Sequence, residues 1–149
     1  MRGAPLLRTE FDAAGLPLLR SLVEEAGVRA GLCAAVRGAL VQAVTELAAD
    51  AVEHGGGSRV HGDGSGVRGD GAGFVELHAG AGELRCEVTG YGPGPAAGRP
   101  AGRGPRLAEA LITAPGAGAG RVRVRGTERG TLTTLSVPLP APATAPPAR

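Results

Sequence analysis

A chain of 149 residues has the length of one ordinary domain, enough to bury roughly 70% of the surface its unfolded form exposes without disulfide or metal staples. Its residues are 42% hydrophobic and 20% charged, and the net charge is only +2. No apolar run is long enough to span a bilayer, so neither nucleic acid nor membrane is the expected partner.

Residues 6–11 predict a short first strand. Asp12 then reads as a helix N-cap, with Leu16, Leu19, Leu22 and Val23 on one face, Pro17 in the first turns and Gly27 as the end. A second helix is expected over about Leu32–Glu53, where Leu32, Val36, Leu40, Ala43, Val44, Leu47 and Ala51 recur at helical spacing. Glu46, Asp50 and His54 follow one another four residues apart on another face. Residues 55–72 read as a long Gly-rich loop, whose two GDG triplets lack the fixed period of a calcium-binding repeat. Phe74–His78 and Leu84–Thr89 predict a hairpin; in its second strand Leu84, Cys86 and Val88 alternate with Arg85, Glu87 and Thr89, giving one buried and one polar face.

A Gly/Pro-dominated, lid-like stretch over 90–106 leads to a third helix at about Arg106–Thr113. Arg121–Arg125 and Thr131–Leu139 predict a second hairpin with Glu128, Arg129 and Gly130 at its turn. Residues 140–149 read as a disordered Pro/Ala tail beyond a single domain at 1–139. The alternation of antiparallel strand pairs with helices predicts an α/β two-layer sandwich. With two Phe, one Tyr and no Trp, its core must be built from Leu, Val and Ala.

Cys33 and Cys86 are too few for a disulfide framework and are expected to be small core residues in a reduced, cytoplasmic protein. The opening MRGAPLLRTEFD is too short in apolar residues for a secretory signal. His54, His61 and His78 have no metal-ligand spacing. Every one of the 16 basic residues is Arg, a usage that points to a GC-rich genome and weakens any argument from arginine number. Arg121, Arg123 and Arg125 alternate on one strand and could meet an acidic partner or nucleic acid, but without interleaved aromatics a solvated sheet face is the expected reading.

Four ordered segments resemble the GHKL ATPase signature. Glu46-Leu47-Ala48-Ala49-Asp50-Ala51-Val52-Glu53-His54-Gly55 is similar to the family's helix motif E-L-x-x-N-A-x-x-H-G. Val88-Thr89-Gly90-Tyr91-Gly92-Pro93-Gly94 is similar to V-x-D-x-G-x-G, and Gly102-Arg103-Gly104-Pro105-Arg106-Leu107 to G-x-G-L-x-L. Gly130-Thr131 followed by strand residues through Pro138 matches the family's G-T…P ending. The compact length, without a sensor or a dimerisation helix pair, is closest to the anti-sigma-factor serine/threonine kinase branch.

The resemblance implies a mostly antiparallel mixed sheet covered on one face by about three helices, ATP and magnesium as ligands, and a sigma factor or a STAS-type anti-anti-sigma protein as partner, with a homodimer left open. It implies that Glu46 is the general base at the γ-phosphate and that Asp50, in place of the family Asn, holds magnesium. It further implies that Gly92 and Gly94 let the backbone approach the nucleotide, that Gly102 and Gly104 present amides to phosphates, and that Thr131 supports the adenine. Arg103 and Arg106 are candidates for phosphate contacts. Three positions depart from the pattern. Gly90 stands where the family Asp accepts from the adenine amino group, Asp50 adds a negative charge beside the phosphates, and Pro105 lacks an N–H. These departures motivate an alternative: a pseudokinase-like module that sequesters a sigma factor or antagonist with weak or no ATP binding.

Overall fold

The computed structural model describes residues 4–54, 72–91, 103–114, 120–128 and 130–140. Most of the Gly-rich loop, most of the lid-like stretch and nearly all of the Pro/Ala tail therefore lie outside the described residues. Five strands, β1 (Leu7–Phe11), β2 (Gly73–Gly80), β3 (Glu83–Gly90), β4 (Arg121–Thr127) and β5 (Gly130–Pro138), make one sheet in the order β1-β2-β3-β5-β4. Helices α1 (Leu16–Arg29), α2 (Ala34–His54) and α3 (Arg103–Thr113) cover one of its faces, giving the expected two-layer α/β sandwich. All four described pairings are antiparallel, consistent with the expected mostly antiparallel sheet.

Strand alternation builds the core. Val75 and Leu77 of β2, Leu84, Cys86 and Val88 of β3, and Leu135 and Val137 of β5 all point to the helical layer. Leu19 and Val23 of α1, Leu40, Val44 and Leu47 of α2, and Ala108 and Ile112 of α3 meet them there. Each fully buried Leu or Val contributes roughly 1.5–3 kcal/mol, which compensates for the scarcity of aromatics. The opposite sheet face is charged. Arg8 pairs with Glu76 at 3.5 Å and lies 5.7 Å from the centre of the Phe74 ring. The β2–β3 turn is closed by Ala81 and Gly82, both with positive φ, as the twist of a two-residue hairpin demands.

Three local expectations are corrected. Asp12 does not begin α1 itself; its Oδ1 accepts from the Gly15 amide at 2.7 Å, and the helix starts after Gly15. Gly27 does not end α1 but is buried within it, because a Cβ there would lie 2.9 Å from Arg37 Cγ of α2. Arg37 uses this close approach to bond Glu24 at 2.9 Å and the Leu32 carbonyl at 3.1 Å, while Gly31 at φ +86° turns the chain. Cys86 is a core residue, and its thiol is raised well above the ordinary range by burial and then by Glu87. Cys33, between α1 and α2, is exposed rather than buried, and both thiols are free.

Gly38 sits exposed in α2, and beyond its own helix backbone and chain neighbours no atom of the described residues lies within 4 Å of an added Cβ. Gly38→Ala should therefore stabilise the fold by about 0.5–1 kcal/mol through lower unfolded-chain entropy. Thermal unfolding should show a rise of roughly 1–4 °C. Among the described residues, no helix is long and apolar enough to cross a membrane.

Candidate functional site

Helix α2 turns its apolar stripe to the sheet through Leu40, Val44, Leu47 and Ala48, which leaves Glu46 and Asp50 half-buried at the rim of that stripe. Four residues apart, they share one face. Gln42, a further turn back, donates from Nε2 to Glu46 Oε2 at 3.0 Å and restricts the carboxylate. The role of Gln42 escaped the sequence reading, although its four-residue spacing from Glu46 was the available signal.

Asp50 meets the start of α3. That helix begins at Arg103, three residues ahead of expectation, so Gly104 and Pro105 lie in its first turn. A proline is tolerated there because its missing N–H has no intrahelical partner to lose. Gly104 is buried, and a Cβ on it would lie 2.8 Å from Asp50 Cβ and 3.2 Å from Asp50 Oδ2. Only glycine allows α3 to approach α2 this closely. The carboxylate of Asp50 consequently lies beside the first turn of α3, where the helix dipole favours negative charge. Arg103 and Arg106 are exposed on the same turn.

The sheet supplies the remaining positions. Gly90 ends β3, paired with Gly73 on one side and Thr131 on the other. It shares the helix-facing side of β3 with Val88, and a Cβ on it would lie 3.2 Å from Ala51 Cβ of α2. Thr131 is half-buried on the same side of β5 as the buried Thr133 and follows Gly130, whose φ of +142° favours glycine.

Asp50, Gly90, Gly104 and Thr131 are thus gathered at one end of the sandwich, between α2, α3 and the strand ends, with Glu46 one helical turn away. Gly92, Gly94 and Gly102 lie outside the described residues. Tyr91, next to Gly90, does not stand in for a side chain there. Its hydroxyl donates to Glu10 Oε2 at 3.2 Å. It thereby lines a cavity of about 640 Å³ with Arg8, Glu10, Phe74, Thr89 and Leu132, residues of the sheet's charged face. Among the described residues, no three His, Cys, Asp or Glu side chains cluster as a metal site. His78 instead lies 3.4 Å from Glu76.

This geometry combines two helix carboxylates, the N-terminal turn of a third helix and a threonine at a strand end. A magnesium ion bound mainly through phosphates needs only one or two protein carboxylates, and Asp50 is of the right chemistry. Gly90 has no side chain that could accept a hydrogen bond.

No protein-family model and no curated protein matches the chain. Among solved structures, the chain is similar to the histidine kinase domain of the Erythrobacter litoralis EL346 blue-light activated histidine kinase, with a TM-score of 0.53 and 19% identity. The match covers 91% of this chain and 61% of that one. At this identity the likeness shows the fold alone, a two-layer α/β sandwich like that of the histidine kinase domain it resembles.

Proposed function

We propose that this chain is an ATP-binding regulatory module of the anti-sigma serine/threonine kinase type, acting on a sigma factor or a STAS-type anti-anti-sigma protein. The observation that supports this reading is the meeting of Asp50, Gly90, Gly104 and Thr131 at one end of a histidine-kinase-like sandwich, one turn from Glu46. In this reading Glu46, restrained by Gln42, takes the proton from the attacking serine hydroxyl or water. Asp50 and the first turn of α3 bracket the phosphates, and Thr131 supports the base. Magnesium would supply charge neutralisation on the transferred phosphoryl group.

Isothermal titration with MgATP, paired with Glu46→Gln, tests the proposal. A general base contributes roughly 10²–10⁴-fold, so Glu46→Gln should keep ATP affinity and lose at least a hundredfold in phosphoryl transfer. Absence of heat and of any thermal shift at millimolar ATP would sink it.

A second reading has its own support. The Asp50 carboxylate already lies beside the N-terminal turn of α3, a position an anionic phosphate would otherwise favour, and Gly90 offers no side chain to adenine. A module that keeps the fold but docks its partner without ATP accounts for both. The same titration separates the two readings.

A further inference from the structure

β4 is an edge strand with arginine at three of its four alternating positions, Arg121, Arg123 and Arg125, the fourth being Thr127. Among the described residues, no strand pairs with its outer side, which leaves half of its backbone N–H and C=O groups facing outward. In register, Arg121, Arg123 and Arg125 stand beside Ser136, Thr134 and Leu132 of β5, none of them charged. These three β5 residues lie on the face away from the helices. All three arginines are exposed. Arg121 reaches Glu83 at 3.4 Å while its side chain stays 68% exposed, and Arg123 and Arg125 make no ion pair among the described residues. Between them, Val122 packs against the core and Val124 is 36% exposed on the helix-side face.

Every basic residue of the chain is Arg, so the choice of arginine over lysine here carries no information. That usage does not explain why they alternate with valine along one edge. Charges on an edge strand also keep copies of a protein from pairing. An antiparallel β4–β4 pair would continue the same face and set arginine against arginine, so a second copy is the wrong occupant. A strand of opposite charge meets no such barrier.

We infer that the β4 edge docks an extended acidic segment of a partner protein, in which acidic and apolar residues alternate. The segment adds as a sixth strand. Its backbone completes the outward ladder, its carboxylates lie beside Arg121, Arg123 and Arg125, and its apolar residues lie beside Val122 and Val124. The backbone ladder favours a peptide over nucleic acid, and β4 has no aromatic ring on which a base could stack. Nothing in this inference depends on nucleotide binding, so a chain that fails to bind ATP still tests it.

The probe is a fluorescein-labelled Glu-Val-Glu-Val-Glu-Val peptide, titrated with the full chain by anisotropy at ~0.05 M and ~0.3 M salt. Saturable binding is expected, weaker at the higher salt. It should fall by roughly tenfold or more in Arg123→Glu/Arg125→Glu, with Arg123→Gln/Arg125→Gln intermediate. Both double variants alter exposed side chains, and circular dichroism should show an unchanged fold; if the first is misfolded, the second carries the comparison. The same peptide N-methylated at alternate amides keeps its charge but cannot pair, and should not bind. No saturable binding at millimolar peptide, or equal binding by the N-methylated peptide, overturns the inference. So does oligothymidylate binding as tightly as the peptide, or a dimer in sedimentation that dissociates in the arginine variants.

Discussion

Gly73→Ala is expected to be the most damaging single-methyl change in this sandwich. Gly73 opens β2 between Phe11 of β1 and Gly90 of β3. A Cβ there would lie 2.2 Å from the Thr89 carbonyl oxygen, and 2.5 Å and 2.8 Å from two carbons of the buried Phe11 ring. The Thr89 oxygen is backbone and cannot swing aside, and Thr89 is paired with Phe74 in the same ladder. Phe11 is 4% exposed and has nowhere to move. Overpacking typically costs 1–3 kcal/mol, and a clash against backbone belongs at the upper end, about 3 kcal/mol. For a domain of this size that lowers Tm by roughly 6–12 °C. Gly80→Ala in the same strand is the control: beyond its chain neighbours no atom of the described residues lies within 4 Å of its added Cβ, and Tm should stay within about 2 °C. Equal losses in the two variants would mean that strand propensity, not space, sets the cost.

Much of this architecture was legible because its cause is local. Helix α2 repeats its apolar spacing over many turns, and β3 alternates without a break, so their type and buried faces followed from periodicity. What escaped has causes on distant parts of the chain. Gly27 looks like a helix end until Arg37 is seen packed on it, and the sequence does not show that Gly104 lies against Asp50, where a side chain would have no space. The hydroxyl of Tyr91 meets Glu10, 81 residues away in sequence, so motif order alone does not show where its ring points. Cys33 lies in the short α1–α2 connection, where composition alone does not reveal burial. For the candidate site, the motif positions could be ordered along the chain. Their contacts, Gly90 against Ala51 and Asp50 against Gly104, needed the tertiary structure.

Those contacts make Gly90→Asp the decisive change for the nucleotide reading. The helix-facing position at the end of β3 is open to a side chain at a small cost. An added Cβ lies 3.2 Å from Ala51 Cβ and 3.9 Å from Ala51 Cα, with no other atom of the described residues beyond its chain neighbours within 4 Å, so a shift of a few tenths of an ångström accommodates it. An aspartate built there places its carboxylate between β3 and α2, beside Thr131 on the neighbouring strand. That is the acceptor the GHKL resemblance expects for the adenine amino group. A hydrogen bond to a charged group contributes roughly 1.5–3 kcal/mol, so MgATP affinity should rise about ten- to a hundredfold, with adenine preferred over guanine. Asp50 sets the limit of the gain. Its carboxylate stays beside the first turn of α3 in this variant, and two like charges ~4 Å apart repel by about 4 kcal/mol at an effective dielectric near 20. Asp50→Asn combined with Gly90→Asp should therefore gain most when magnesium is withheld, because the metal otherwise screens that repulsion. Calorimetry on the parent and the two variants, with and without magnesium, separates the contributions. If Gly90→Asp unfolds at the parent's temperature yet gains no ATP affinity, the end of the sandwich between α2, α3 and the strands is not an adenine site.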